Sequence, residues 1–256
     1  MAKSIPRILF NLANVAQFSY MIYYRYGLKI PGHRYNAYGG EWKFITYWNL
    51  WLQLIYFSVG FCNELFGTKA SPSKLESSRL QKTRDFLFST LAFPVGLFVT
   101  ISFWSIYMVD RSLVFPKKLD EFYPLWANHM LHTTCMISQL IEMTTSFHDY
   151  PSRTKGILTS MGFAFMYLAW ILFIAHKSNI WVYPILEKLP PLGRTIFIGG
   201  SCLLFGILFL GGQFLNDKIW QPTVEEGKLV QNDSAANGTP THTYNTRSRK
   251  KVAKAD

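Results

Sequence analysis

Two histidines three residues apart, in the run NHMLHTT from Asn128 to Thr134, stand inside an otherwise apolar stretch. Imidazole and amide side chains are costly in hydrocarbon, and those that persist there face a bundle interior or a wet cavity and mark functional sites. A neutral imidazole can take the proton from a hydroxyl and so make a weak nucleophile competent for attack on an ester carbonyl. Thr46 is a hydroxyl that such a base can serve, and His132 is the partner considered for it. Asn128 precedes His132 by one helical turn and shares its face, where it can orient the ring; His129 shares part of that face. Residue type alone leaves other roles open. A lone threonine in a membrane helix more commonly bonds back to the carbonyl one turn earlier, and two histidines can be satisfied by interhelical hydrogen bonds. A metal site is the competing chemistry, but it needs three or four ligands, and His129 and His132 supply two. No metal or cofactor is expected. Glu142 lies near the far end of the same apolar stretch, where it reads as a salt bridge or a cap at the opposite interface.

The elements that must carry these groups are membrane helices. A hydrocarbon core about 30 Å thick takes roughly 20 mostly apolar residues per crossing. Phe44 to Leu65, Phe86 to Val109, Ile157 to Ala175 and Thr195 to Leu215 meet that length almost without charge, and two more polar stretches, Ile8 to Tyr24 and Leu125 to Thr145, complete a set of six. The expected fold is therefore all-α, a polytopic bundle of about six transmembrane helices. Even-numbered spans then start from one surface. Thr46 and His132 lie within about 10 Å of the level marked by Trp42 and Trp126, so contact between them is geometrically allowed.

Other features fit that frame. Pro94 should kink or open the third span, since it lacks a backbone donor. Gly199, Gly200, Gly206, Gly211 and Gly212 should let helices approach the sixth. Cys62, Cys135 and Cys202 all fall in apolar spans and read as small buried residues, not as a disulfide framework. Residues 1–221 form the membrane domain, and 222–256, polar and ending in the basic RSRKKVAK, read as a disordered tail. Basic residues nominally place both termini in the cytoplasm, a balance tipped by the tail alone. The organelle stays open between plasma membrane and endoplasmic reticulum.

The blocks YGGEWKFIT (Tyr38 to Thr46), LAFPVGLF (Leu91 to Phe98), NHMLHTT, IEMTTSFHDYPSR (Ile141 to Arg153) and WVYPILE (Trp181 to Glu187) occur in one order. Together they resemble the family of androgen-induced and androgen-dependent TFPI-regulating membrane proteins over roughly Tyr38 to Trp220. The resemblance implies a multi-pass threonine hydrolase of fatty acid esters of hydroxy fatty acids that works without metal. The threonine after YGG-x-W-K, here Thr46, would be its nucleophile, and the second histidine of N-H-x-x-H-T-T, here His132, its base. On that reading Lys43 is a candidate for the substrate carboxylate, as are Arg111, Lys117 and Lys118, and Asn49, Thr133 and Thr134 are candidates for the oxyanion. The partners implied are a branched lipid ester and the surrounding membrane lipids, with no nucleic acid. The rival is a non-enzymatic membrane adaptor or transport protein whose His, Asn and Glu side chains form a structural network.

Overall fold

Pro6 in the first turn of the first helix, Pro184 and Pro191 at two later starts, and Gly67 at one helix end punctuate a chain that is otherwise a succession of helices. The computed structural model describes residues 4–30, 36–68 and 77–237, with side chains through Trp220. Its long elements are α1 (Ile5–Gly27), α2 (Ile45–Phe66), α3 (Arg79–Leu87), α4 (Phe93–Asp110), α5 (Leu125–His132), α6 (Thr134–Thr145), α7 (Arg153–Ser178), α8 (Pro184–Lys188) and α9 (Pro191–Asn237). No strand occurs among the described residues.

Among the described residues, three helical stretches are long and apolar enough to cross a membrane: Arg79–Leu113, Arg153–Ser178 and Pro191–Trp220. Large apolar side chains such as Leu158, Phe165, Leu203 and Phe214 are exposed on the last two, as lipid-facing helices require. The chain is an all-α membrane protein. Helices α1 and α2 are comparable in length but bury Asn11, Asn14, Asn49, Gln53 and Asn63 along their packed faces.

The fourth expected span starts and ends where the sequence places it but is not one helix. It breaks at Thr133 (φ −119°, ψ −45°). Its hydroxyl accepts from the Trp104 indole at 3.1 Å and meets His129 Nδ1 at 3.1 Å, and two adjacent β-branched residues weaken the helix locally. Pro94 acts as expected. The turn before it, Phe88–Ala92, is a π-helix, and the Thr90 carbonyl, deprived of its donor, accepts instead from Ser160 Oγ on α7 at 2.7 Å. Gln53 on α2 reaches the Ala92 carbonyl at 2.9 Å, so the opened turn is stitched to two neighbouring helices.

Helix α1 lies along α2 with Phe18 stacked on Phe57 at 5.9 Å. On the other side α9 packs on α4 and α7 through Phe98 against Phe205 at 4.4 Å and Phe209 against Gly156, where any Cβ would overlap the ring. Of the glycines in the last span, Gly212 fits tightly against Phe93 and Tyr150 and Gly206 rests on Met161, but Gly199, Gly200 and Gly211 face open space. The expected close approach is therefore made at Gly206 and Gly212 and not along the whole row of glycines. Cys135 and Cys202 are buried, whereas Cys62 is exposed, a position that an apolar thiol tolerates against lipid.

Helix α9 continues to Asn237, past the boundary at 221 where disorder was expected to begin. Extending an existing helix needs no new nucleus, and Glu225, Glu226, Lys228 and Leu229 are good helix formers. The RSRKKVAK segment lies outside the described residues.

Candidate functional site

The stretch YGGEWKFIT supplies one wall of the site by way of its backbone. Gly39 and Gly40 take positive φ, 90° and 50°, a conformation that favours glycine, and a Cβ on Gly39 would also press on Ile174 at 3.0 Å. The turn they start, Gly40–Lys43, is pinned from two helices: the Trp42 carbonyl accepts from the indoles of Trp48 (2.6 Å) and Trp170 (2.8 Å). Tyr167 donates its hydroxyl to the Lys43 carbonyl at 2.9 Å. The Ile45 N–H, an orphan of the first turn of α2, donates to the hydroxyl oxygens of Tyr167 and Tyr183 at 3.0 Å each. Thr46 follows immediately, so its position is set by contacts from α2, α7 and the chain before α8.

From the opposite wall, α5 brings His132 to within 3.3 Å (Nε2) of Thr46 Oγ1. The other ring nitrogen, Nδ1, faces two acceptors of Asn128, the side-chain oxygen at 2.9 Å and the backbone carbonyl at 3.2 Å. A carbonyl accepts only, so Nδ1 carries the proton and Nε2 presents its lone pair to the threonine hydroxyl. Phe103 lies flat over the imidazole, 3.6 Å between ring centres and 8° between planes, and holds the ring in the plane that this geometry needs. The ring is buried while Thr46 is half-buried. Hydroxyl, imidazole and orienting acceptor thus stand in the order that activation of a nucleophile requires.

Both groups face a cavity of about 200 Å³. Its walls are chiefly aromatic and aliphatic side chains of α2, α4, α7 and α9, among them Leu50, Phe98, Ile171 and Phe205. A hydrocarbon chain fits such walls, and few polar groups are available to compete with the Thr46–His132 pair.

The remaining candidates are held elsewhere. His129 is exposed, bonded to Thr133 and stacked on Trp104 at 5.3 Å. Thr134 donates back to the Met130 carbonyl at 2.8 Å, the ordinary use of a helical threonine. Asn49 is buried and accepts from Gln53 at 2.9 Å. Lys43 is buried as well, its ammonium near the Ala37 carbonyl at 3.4 Å and over the Phe44 ring at 5.2 Å. None of these four, nor Thr133, is among the residues lining the cavity. Among the described residues, the charged side chains that do line it are Arg25 and Glu41. Sequence reasoning passed over both, although Glu41 stands inside the YGGEWKFIT block and Arg25 closes the first apolar stretch. Phe103 had no signal of its own in a chain that is 17% aromatic.

The model of the FAR-17a/AIG1-like protein family matches residues 6–217. The chain is 40% identical over 208 residues to the human androgen-induced gene 1 protein, covering 78% of this chain and 87% of that one. It is 37% identical over 187 residues to the rat androgen-dependent TFPI-regulating protein, covering 73% and 80%. A UPF0641 membrane protein of Schizosaccharomyces pombe is 27% identical over 165 residues, 63% of this chain and 69% of its own. No solved structure matches.

Proposed function

Because the chain belongs to the FAR-17a/AIG1-like protein family and brings a threonine hydroxyl to an oriented imidazole, we propose that it is a membrane-embedded ester hydrolase acting on fatty acid esters of hydroxy fatty acids. One observation carries the reading: Thr46 Oγ1, His132 Nε2 and the Asn128 acceptors form a continuous chain at the edge of an apolar cavity. The resemblance of the YGGEWKFIT and NHMLHTT blocks supplies the substrate class. The accompanying topology is six crossings with both termini in the cytoplasm.

In the first step Thr46 Oγ attacks the ester carbonyl carbon while His132 Nε2 takes the hydroxyl proton. The tetrahedral intermediate collapses with cleavage of the carbon–oxygen bond to the hydroxy acid, whose alkoxide takes the proton from the imidazolium and leaves as the alcohol. Water then attacks the acyl-threonine with His132 again as base, releasing the fatty acid and regenerating Thr46. Asn128 stabilises the imidazolium through Nδ1 in both halves. General-base assistance of this kind contributes about 10²- to 10⁴-fold.

A fluorophosphonate probe applied to the solubilised protein tests the assignment. Labelling at Thr46 that vanishes in Thr46→Ala and falls strongly in His132→Ala, in parallel with ester hydrolysis, is the expected result. Undiminished labelling and turnover in both variants would leave the pair a structural contact and favour a non-enzymatic membrane protein.

A further inference from the structure

Beside the Thr46–His132 pair, the mainly apolar cavity is lined by Arg25 and Glu41, whose guanidinium and carboxylate meet in an ion pair. Arg25 is in the last turn of α1, 5% exposed, with its guanidinium 4.8 Å from the centre of the Tyr123 ring. A cation buried this far requires a carboxylate beside it, because removal of one partner leaves an uncompensated charge. The two partners differ in how firmly they are held. The Arg25 side chain is 6% exposed and backed by an aromatic face, whereas that of Glu41 is 29% exposed and rides on the short turn before α2. Glu41 can therefore withdraw into water while Arg25 stays.

We propose that Arg25 is the specificity residue that binds the free carboxylate of the lipid in the cavity, with Glu41 as its counter-ion in the empty site. The exchange conserves charge: an incoming carboxylate replaces Glu41 on the planar fork of the guanidinium, which suits a bidentate acceptor. The acyl chains extend along the apolar walls. On this assignment the separation of Arg25 from Thr46 sets how many carbons lie between the acid group and the ester that is cut. Lys43, one of the cations the sequence offered for this task, lies near the Ala37 carbonyl and is not among the described residues that line the cavity.

The inference rests on the lipid-ester reading for its ligand, but its test needs no turnover. An ether-linked, non-hydrolysable analogue with a free carboxylate, and the same molecule as its primary amide, are titrated into the full chain in detergent micelles. Wild type should bind the acid at least tenfold more tightly than the amide. R25Q should bind acid and amide alike, at the affinity wild type shows for the amide, and Arg25→Lys should recover part of the preference. E41Q should move the other way and tighten the acid severalfold, because the competing carboxylate is gone. Equal binding of acid and amide by wild type, equal weakening of both by R25Q, or an E41Q variant that weakens the acid as R25Q does would each overturn the assignment. Thr46→Ala should keep the acid preference intact, so a failed labelling experiment and a failed carboxylate site give different patterns.

Discussion

Two histidines in this molecule sit flat on a phenylalanine, and their surroundings send them in opposite directions. His132 on Phe103 (3.6 Å, 8°) opens onto a cavity and a hydroxyl. His148 on Phe88 (3.7 Å, 7°) is fully buried between carboxylates, with Nδ1 3.2 Å from Asp85 and Nε2 3.5 Å from Glu142. Around it Arg84 pairs with Asp85 at 2.6 Å, Arg7 bridges Glu64 and Glu142 at 2.8 Å each, and Tyr56 donates to Glu142 at 2.9 Å. The stacked ring is the same device in both places. What differs is the surroundings: at His148 Nδ1 meets Asp85 and Nε2 lies against Glu142 inside a closed ionic cluster, while at His132 Nδ1 is anchored on Asn128 and Nε2 faces the Thr46 hydroxyl at the cavity. An imidazole shut inside an ionic cluster ties helices together; one that opens onto a cavity has a lone pair to offer.

The contrast can be broken most forcefully at the hydroxyl. Thr46→Ala should abolish acyl-enzyme formation and lower ester hydrolysis by about 10²- to 10⁴-fold with little change in unfolding temperature, read by turnover and thermal melts on one preparation. Glu142→Ala should do the reverse. It removes one of the two carboxylates that hold Arg7, Glu64 remaining, and leaves the buried Tyr56 hydroxyl without its acceptor, costing about 1–3 kcal/mol of stability, while turnover per folded molecule is retained. Asn128→Ala should fall between His132→Ala and wild type in turnover, since the Asn128 backbone carbonyl still holds Nδ1. Ser160→Ala, which removes the donor to the freed Thr90 carbonyl, should cost about 1–3 kcal/mol and leave activity unchanged.

The smallest effect expected is in pH. Burial, with the neighbouring Arg84 charge, pushes the His148 imidazole below its ordinary value of 6.5, against the pull of Asp85 and Glu142. As pH falls below about 6.5 the unfolded chain takes up a proton that the folded chain refuses, so stability declines in that direction. Thermal melts between pH 7 and pH 5 should show less of this decline in His148→Gln.

Much of the scaffold was legible beforehand. The span read from Phe44 to Leu65 is the helix Ile45–Phe66, the one from Leu125 to Thr145 keeps those ends, and Pro94 opens its helix as a missing donor must. The meeting of Thr46 with His132 was allowed by depth and is present at 3.3 Å. Glu142 reads as a salt bridge and is one, but its partner is Arg7 in α1 and it lies fully buried, not at a wetted interface. Among the described residues it is Arg25, not Lys43, that lines the cavity, and Asn49, Thr133 and Thr134, whose side-chain oxygens bond to Gln53, Trp104 and Met130, lie outside its lining.

What the amino-acid order determined by itself is whatever depends on local composition: which stretches are apolar enough to be membrane helices, where glycine or proline must bend them, and which few polar groups are too costly to be there without a use. Tertiary structure alone decided how each of those groups is spent. A side chain's bonding depends on which helix face turns toward which neighbour, and the residues that settle it are far apart in sequence: Phe103 over His132, Arg7 against Glu142, Tyr167 under Ile45. Periodicity tells that a polar group is inward, but the identity of its partner is set by rotation and depth of separate helices, which no single stretch of sequence encodes.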